Sequence, residues 1–112
     1  MEINWADHYS GAITICDRKG IIVYMNDVSA RQFEKDGGKK LVGANLLDCH
    51  PEPARKKLLA MLEKPLHNTY SVEKNGKTKI IHQSPWIENG VFKGVVELSF
   101  EIPTPMPHFV RK

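Results

Sequence analysis

The spacing of apolar residues changes twice along the chain. In "AITIC" (12–16) and "IIVYM" (21–25) the residues are β-branched and largely alternating, the pattern of short strands. "DRKG" between them supplies turn residues, with Gly20 free to take a positive φ, so the pair predicts a hairpin. Asn26 or Asp27 then offers a side-chain oxygen to cap a helix through "VSARQFEKD", which Gly37-Gly38 would stop. "KKLVGANLLDCH" reads as two short turns divided at Gly43. In "PEPARKKLLAMLEK" the period becomes helical. Ala54, Leu58, Leu59, Met61 and Leu62 share one broad side, Pro51 suits the first turn, and Pro65 ends the helix.

The C-terminal third returns to strands. "HNTYSVEK" turns at Asn75-Gly76, "KTKIIHQSPWI" turns at Asn89-Gly90, and "VFKGVVELSFEI" is the last and longest strand. Asn-Gly between such runs is a strong hairpin signal, because both residues tolerate positive φ. Before the first strand, Ile3, Trp5, Ala6 and Tyr9 recur at near-helical spacing within Glu2 to Tyr9. They predict a short amphipathic helix or docked arm, broken at Ser10-Gly11. "PTPMPHFVRK" is proline-rich and predicts an extended tail. The order is two strands, three or four helices and a three-strand meander. It implies an α+β domain with one five-stranded antiparallel sheet and helices on one face. Residues 1–10 form the arm, 11–103 the domain and 104–112 the tail.

Composition narrows the class. The 112 residues suffice for one domain with one core, and 41% apolar with 26% charged residues is ordinary for a folded protein. A formal charge of +3, scattered over "DRKG", "GGKK" and "ARKK", does not argue for nucleic acid as a partner. No stretch is apolar for the roughly 18 residues of a membrane span, and "MEINWADHYS" lacks the marks of a signal peptide. Cys16 and Cys49 are therefore read as free thiols in a reducing cytoplasm.

The chemistry most worth weighing is Cys49 beside His50. As a nucleophile and base they are poorly placed, because adjacent residues in a turn or helix point about 100° apart. Helix capping explains the pair better, a ligand contact by the pair comes second, and a thiol enzyme using Cys49 and His50 is the competing class. His8, His82 and His108 make no zinc spacing, and no phosphate loop, nucleophile elbow or paired-carboxylate motif occurs.

Taken in order, three stretches resemble the PAS sensor domain family across roughly Ala12 to Thr104. They are "CDRKGIIVYMNDVSARQF", "KLVGANLLDCHPEP" and "SPWIENGVFKGVVELSFEI". The resemblance implies a sensor or interaction domain of bacterial-type signal transduction, not an enzyme. Most relatives are joined to an output domain, for which 112 residues leave no room, so a stand-alone domain is expected here. Its ligand stays open, since relatives bind haem, flavins, small acids, lipids or nothing observable. In light-sensing relatives a cysteine directly follows the Asn of the Gly-x-Asn turn. Leu46 stands there in "GANLL", which leaves only non-covalent flavin binding. Haem-binding relatives present a histidine from the long helix or its flank. Here that helix has none, and His50 and His67 flank it. No cofactor is required by the resemblance.

Which sheet face meets the helices is the remaining question. In the last strand Val96, Leu98, Phe100 and Ile102 alternate with Val95, Glu97, Ser99 and Glu101. Burying the apolar face is the simple rule. The resemblance implies the reverse, with Ser99, Gln83 and Cys16 toward a cavity under the helices. On that register the expected pocket residues are Cys16, Phe33, Leu47, Leu58, Leu62, Gln83 and Ser99. Phe33 and the leucines would give apolar contact, and Gln83 and Ser99 would fix polar groups. Ile13, Ile15, Ile80, Trp86, Val96, Leu98 and Phe100 would then form an outer apolar patch, larger than a monomer usually leaves in water. The expected partners are a second copy, paired through that face and the N-terminal helix, a small molecule, and a downstream signalling protein.

Overall fold

The structure, a computed structural model, describes residues 3–112 apart from the side chain of Cys49. Glu2, which begins the predicted N-terminal helix, lies outside the described residues. Strands β1 (Ala12–Asp17) and β2 (Ile22–Met25) precede helix α1 (Asp27–Gln32). Three single turns follow, Glu34–Asp36, Gly38–Leu41 and Leu46–Cys49, and then helix α2 (Ala54–Glu63). Strands β3 (Asn68–Lys74), β4 (Lys77–Glu88) and β5 (Val91–Ile102) complete one antiparallel sheet in the order β2-β1-β5-β4-β3. α1 packs on β1 and α2 on β5, which makes the α+β arrangement of the expectation. Among the described residues no helix is long and apolar enough to cross a membrane.

Local chemistry explains most of these elements. Asn75 and Gly76 take φ of 54° and 76°, and Asn89 and Gly90 take 52° and 76°, the positive pair that a tight hairpin needs. Asn26 caps α1 by accepting from Ser29 N at 3.0 Å. Wholly buried, it also accepts from Ile13 N and donates to the carbonyls of Ala6 and Gly11. One amide therefore joins β1, α1 and the N-terminal arm with all its polar groups satisfied, as burial demands.

Three expectations are corrected. The N-terminal helix shrinks to one turn, Ala6–His8, while Ile3, Trp5 and Tyr9 stay exposed. Without an apolar surface to bury, so short a helix does not hold itself. α2 starts at Ala54, with Pro53 as its N-cap, so Pro51 is not in the first turn. A residue before proline is pushed out of the helical region, which keeps Glu52 from joining the helix ahead of Pro53. The buried side of α2 is also narrower than expected. Leu58, Met61 and Leu62 are buried, whereas Ala54 and Leu59 face solvent. The tail, 103–112, is irregular and exposed along its length.

The pairing of β1 with β5 rests on Gly94. A Cβ there would lie 1.9 Å from the carbonyl oxygen of Cys16 and 2.8 Å from Asp17 Cα. Only glycine allows the strands this approach, and the ladder runs on from it through Cys16–Val95, Ile15–Val96 and Thr14–Glu97. Replacing Gly94 with alanine should push β5 off β1 and lower stability by about 3 kcal/mol or more, the upper end of overpacking costs. Urea unfolding checks this, and an unchanged midpoint would contradict the close approach.

Candidate functional site

Between the sheet and the helical layer lies a cavity of about 720 Å³. The sheet contributes Thr14, Cys16, Ile81, Gln83, Val95, Glu97 and Ser99, all from one face of β1, β4 and β5. The opposite wall is Phe33, Leu41, Leu46, His50 and Leu58. The mixed face of the sheet thus points toward the helices. Val96, Leu98 and Phe100 face away, Phe100 being 40% exposed, although Ile13 on that side is itself buried. The alternative in which the apolar face meets the helices does not occur.

Five residues expected at the pocket, Cys16, Phe33, Leu58, Gln83 and Ser99, lie on the cavity wall. Two do not. Leu62 sits in the closed core with Cys16, Leu58, Met61 and Val95, and Leu47 packs against that core from outside. Leu46 takes the wall position because the single turn Leu46–Cys49 is tight, so successive residues rotate to different sides. The sequence reading also passed over Glu97, Lys79 and Ile81. Their strand parity, two residues from Ser99 or in step with Gln83, carried the signal.

The polar groups are ordered across the sheet. Asn68, Gln83, Glu97 and Thr14 are successive partners on β3, β4, β5 and β1. Asn68 Nδ2 donates to Gln83 Oε1 at 2.9 Å, and Gln83 Nε2 donates to Glu97 Oε1 at 2.8 Å. Beyond Glu97, the Thr14 and Ser29 hydroxyls bond at 2.5 Å, which ties the row to α1. Burial of Tyr70, with the Glu97 charge adding to it, pushes the phenol above its ordinary range. His50 Nδ1 lies 2.7 Å from the carbonyl oxygen of Leu46. A carbonyl only accepts, so Nδ1 donates to it, and in that tautomer the lone pair lies on Nε2. Among the described residues no group of three His, Cys, Asp or Glu side chains is placed to hold a metal ion.

No family model and no curated protein matches the chain. Solved structures do. The C-terminal domain of a Streptococcus mutans protein aligns at 23% identity and TM-score 0.67, over 88% of this chain and 80% of that one. The Aer2 receptor of Vibrio cholerae, a dual PAS-heme oxygen sensor, aligns at 18% identity and TM-score 0.61, over 83% and 95%. The chain has the fold of a PAS domain. A third match is the VqmA dimer of Vibrio cholerae, at 13% identity and TM-score 0.67, covering 88% of this chain and 49% of that one. In this fold the alkyl side chain of Leu46 lies on the cavity wall.

Cys16 is the thiol on the wall, and burial pushes its pKa from 9.0 up to about 11, with the negative charges of Asp17 and Glu97 adding to the rise. The folded state therefore favours the neutral thiol. That contribution is complete below about pH 9 and is lost as pH climbs to about 11, amounting to about 3 kcal/mol. In a Cys49→Ala background, thiolate absorbance should titrate near pH 11 while the fold persists. Alkylation at pH 8 should run about a hundredfold below that of a free thiol. A midpoint near pH 9 with rapid alkylation would contradict the burial.

Proposed function

We propose that this PAS domain is a sensor or adaptor that holds a small molecule in the cavity and passes the binding event to a partner protein. It binds its ligand without transforming it. The observation that carries the reading is a cavity of about 720 Å³ with an ordered polar row on an otherwise largely apolar wall. Sites for small molecules have this character, an apolar body with a few fixed polar groups. Phe33 and Leu58 contact the apolar part of the ligand, Gln83 and Ser99 hold its polar part, and Cys16 packs as a neutral thiol.

The output runs through the outer sheet face, where a second copy docks. Leu98 and Phe100 present apolar surface there, and the exposed Trp5 and Tyr9 rings stack edge to face at 5.3 Å beside the domain. The arm is tied to the β2–α1 corner, through Tyr24 to Asp7 and Asn26 to Ala6, and its Tyr9 ring comes up to Gly11 beside Phe100, at the edge of that face. A two-fold pairing uses the same patch on both partners. A shift of β5 on ligand binding then alters the pairing, provided the two states differ in ligand affinity.

A second reading has one specific observation in its favour. The Nε2 lone pair of His50, on the cavity wall, has the chemistry to ligate a haem iron. Haem would supply gas binding. The chain's own part would be the imidazole, held in place by the Leu46 carbonyl.

Native mass spectrometry of the purified protein separates these readings. The sensor reading expects a retained small molecule that is lost in Ser99→Trp, a variant that fills the cavity and stays folded. Haem would appear as visible absorbance that His50→Ala abolishes. A protein that emerges empty and colourless, and that no added small molecule stabilises, would overturn both. For the pairing, Leu98→Glu with Phe100→Glu should give a folded monomer in light scattering where the wild type is a dimer. A monomeric wild type would remove the dimer from the account.

A further inference from the structure

Glu97 is the charged member of the polar row, and it has capacity to spare. A carboxylate accepts several hydrogen bonds and donates none. Gln83 supplies one donor, to Oε1, and among the described residues nothing donates to Oε2. The amide order explains this first donor. Asn68 occupies the oxygen of Gln83, which turns the Gln83 NH2 toward Glu97 and ends the chain of donors there. Across β5 from Gln83, the Thr14 hydroxyl is engaged with Ser29.

No cation answers the charge either. None of the ion pairs among the described residues includes Glu97. Lys79, the lysine on the wall, pairs across the strands with Glu101, at the end of the cavity shared with Gln32 and Asp36. The cavity wall that Glu97 shares carries the apolar Met25, Phe33, Leu58 and Val95 beside the hydroxyls of Tyr70 and Ser99. Glu97 is only half-buried, so its free oxygen keeps access to water, and a charged donor there would make the stronger partner. Its charge raises the pKa of Tyr70 and Cys16, which share its face of the sheet, after burial has done so.

We infer that the ligand is a small organic cation, an apolar or aromatic body bearing a protonated nitrogen that pairs with Oε2 of Glu97. The inference rests on the sensor reading and names the chemical class it takes. The nitrogen completes the row that begins at Asn68, so occupancy fixes the charge at the centre of β5. The apolar body lies between Phe33 and Leu58.

A matched series tests it: 4-phenylbutylamine, 4-phenylbutanol and 4-phenylbutyrate, titrated calorimetrically at neutral pH. The wild type should bind the amine at least tenfold more tightly than the alcohol. Glu97→Gln, nearly the same shape and still able to accept from Gln83, should bring the amine to the level of the alcohol and leave the alcohol within twofold. An amine that binds no better than the alcohol, or a preference that survives Glu97→Gln, overturns the inference. Should that variant not fold, the amine-to-alcohol ratio of the wild type decides alone. Tightest binding of the carboxylate overturns the inference and leaves the sensor reading standing. Failure of all three to bind overturns the inference and leaves the sensor reading to the retained-ligand measurement.

Discussion

The close approach of β5 to β1 at Gly94 is the constraint on which the rest depends. Side chains alternate along a strand, so a slip of one residue would exchange every inward position of β5 for an outward one. With the glycine seated against the carbonyl of Cys16, Val95, Glu97 and Ser99 fall inward and Val96, Leu98 and Phe100 outward. The same contact sets the neighbours on β1, since Cys16 pairs with Val95 and Thr14 with Glu97. The cavity wall, its one central carboxylate and the apolar outer face are consequences of a single missing methyl group.

That register divides the inner face of the sheet into two regions. At one end Cys16 and Val95 close against Leu58, Met61 and Leu62 to form the packed core. Further along, Thr14, Glu97, Gln83 and Ser99 face a space that the helical layer does not fill. Polar groups so placed are costly unless they are bonded: Gln83 bonds Asn68 and Glu97, and Thr14 bonds Ser29 of α1. The row is rigid for that reason. Asn26 holds α1 against β1, and Ser29 reaches Thr14 from that helix, so the wall and its frame move together.

How much was legible in the sequence follows from how local the determining physics is. The two Asn-Gly turns, the Asn26 cap and the strand blocks depend on neighbours within a few residues, and they stand where the sequence places them. The start of α2 was misread because Pro51 and Pro53 both offer a helical first residue, and only the second is free of a following proline. Leu47 and Leu46 are alike in sequence. Which one reaches the cavity depends on the pitch of a single turn, which no periodicity reveals. Glu97 was readable by strand parity yet passed over, since a charged residue near the end of a chain suggests solvent until the partner strands on both sides are known. The sheet face could not be chosen from alternation alone, because both faces of β5 carry apolar residues.

The central claim is that the mixed face of β5 turns toward α2. Methyl–methyl nuclear Overhauser effects measure this directly in solution. The account predicts contacts from the Val95 methyls to those of Leu58 and Leu62, and none from Val96 or Leu98 to either leucine. Contacts from Val96 and Leu98 to α2, with Val95 silent, would contradict it.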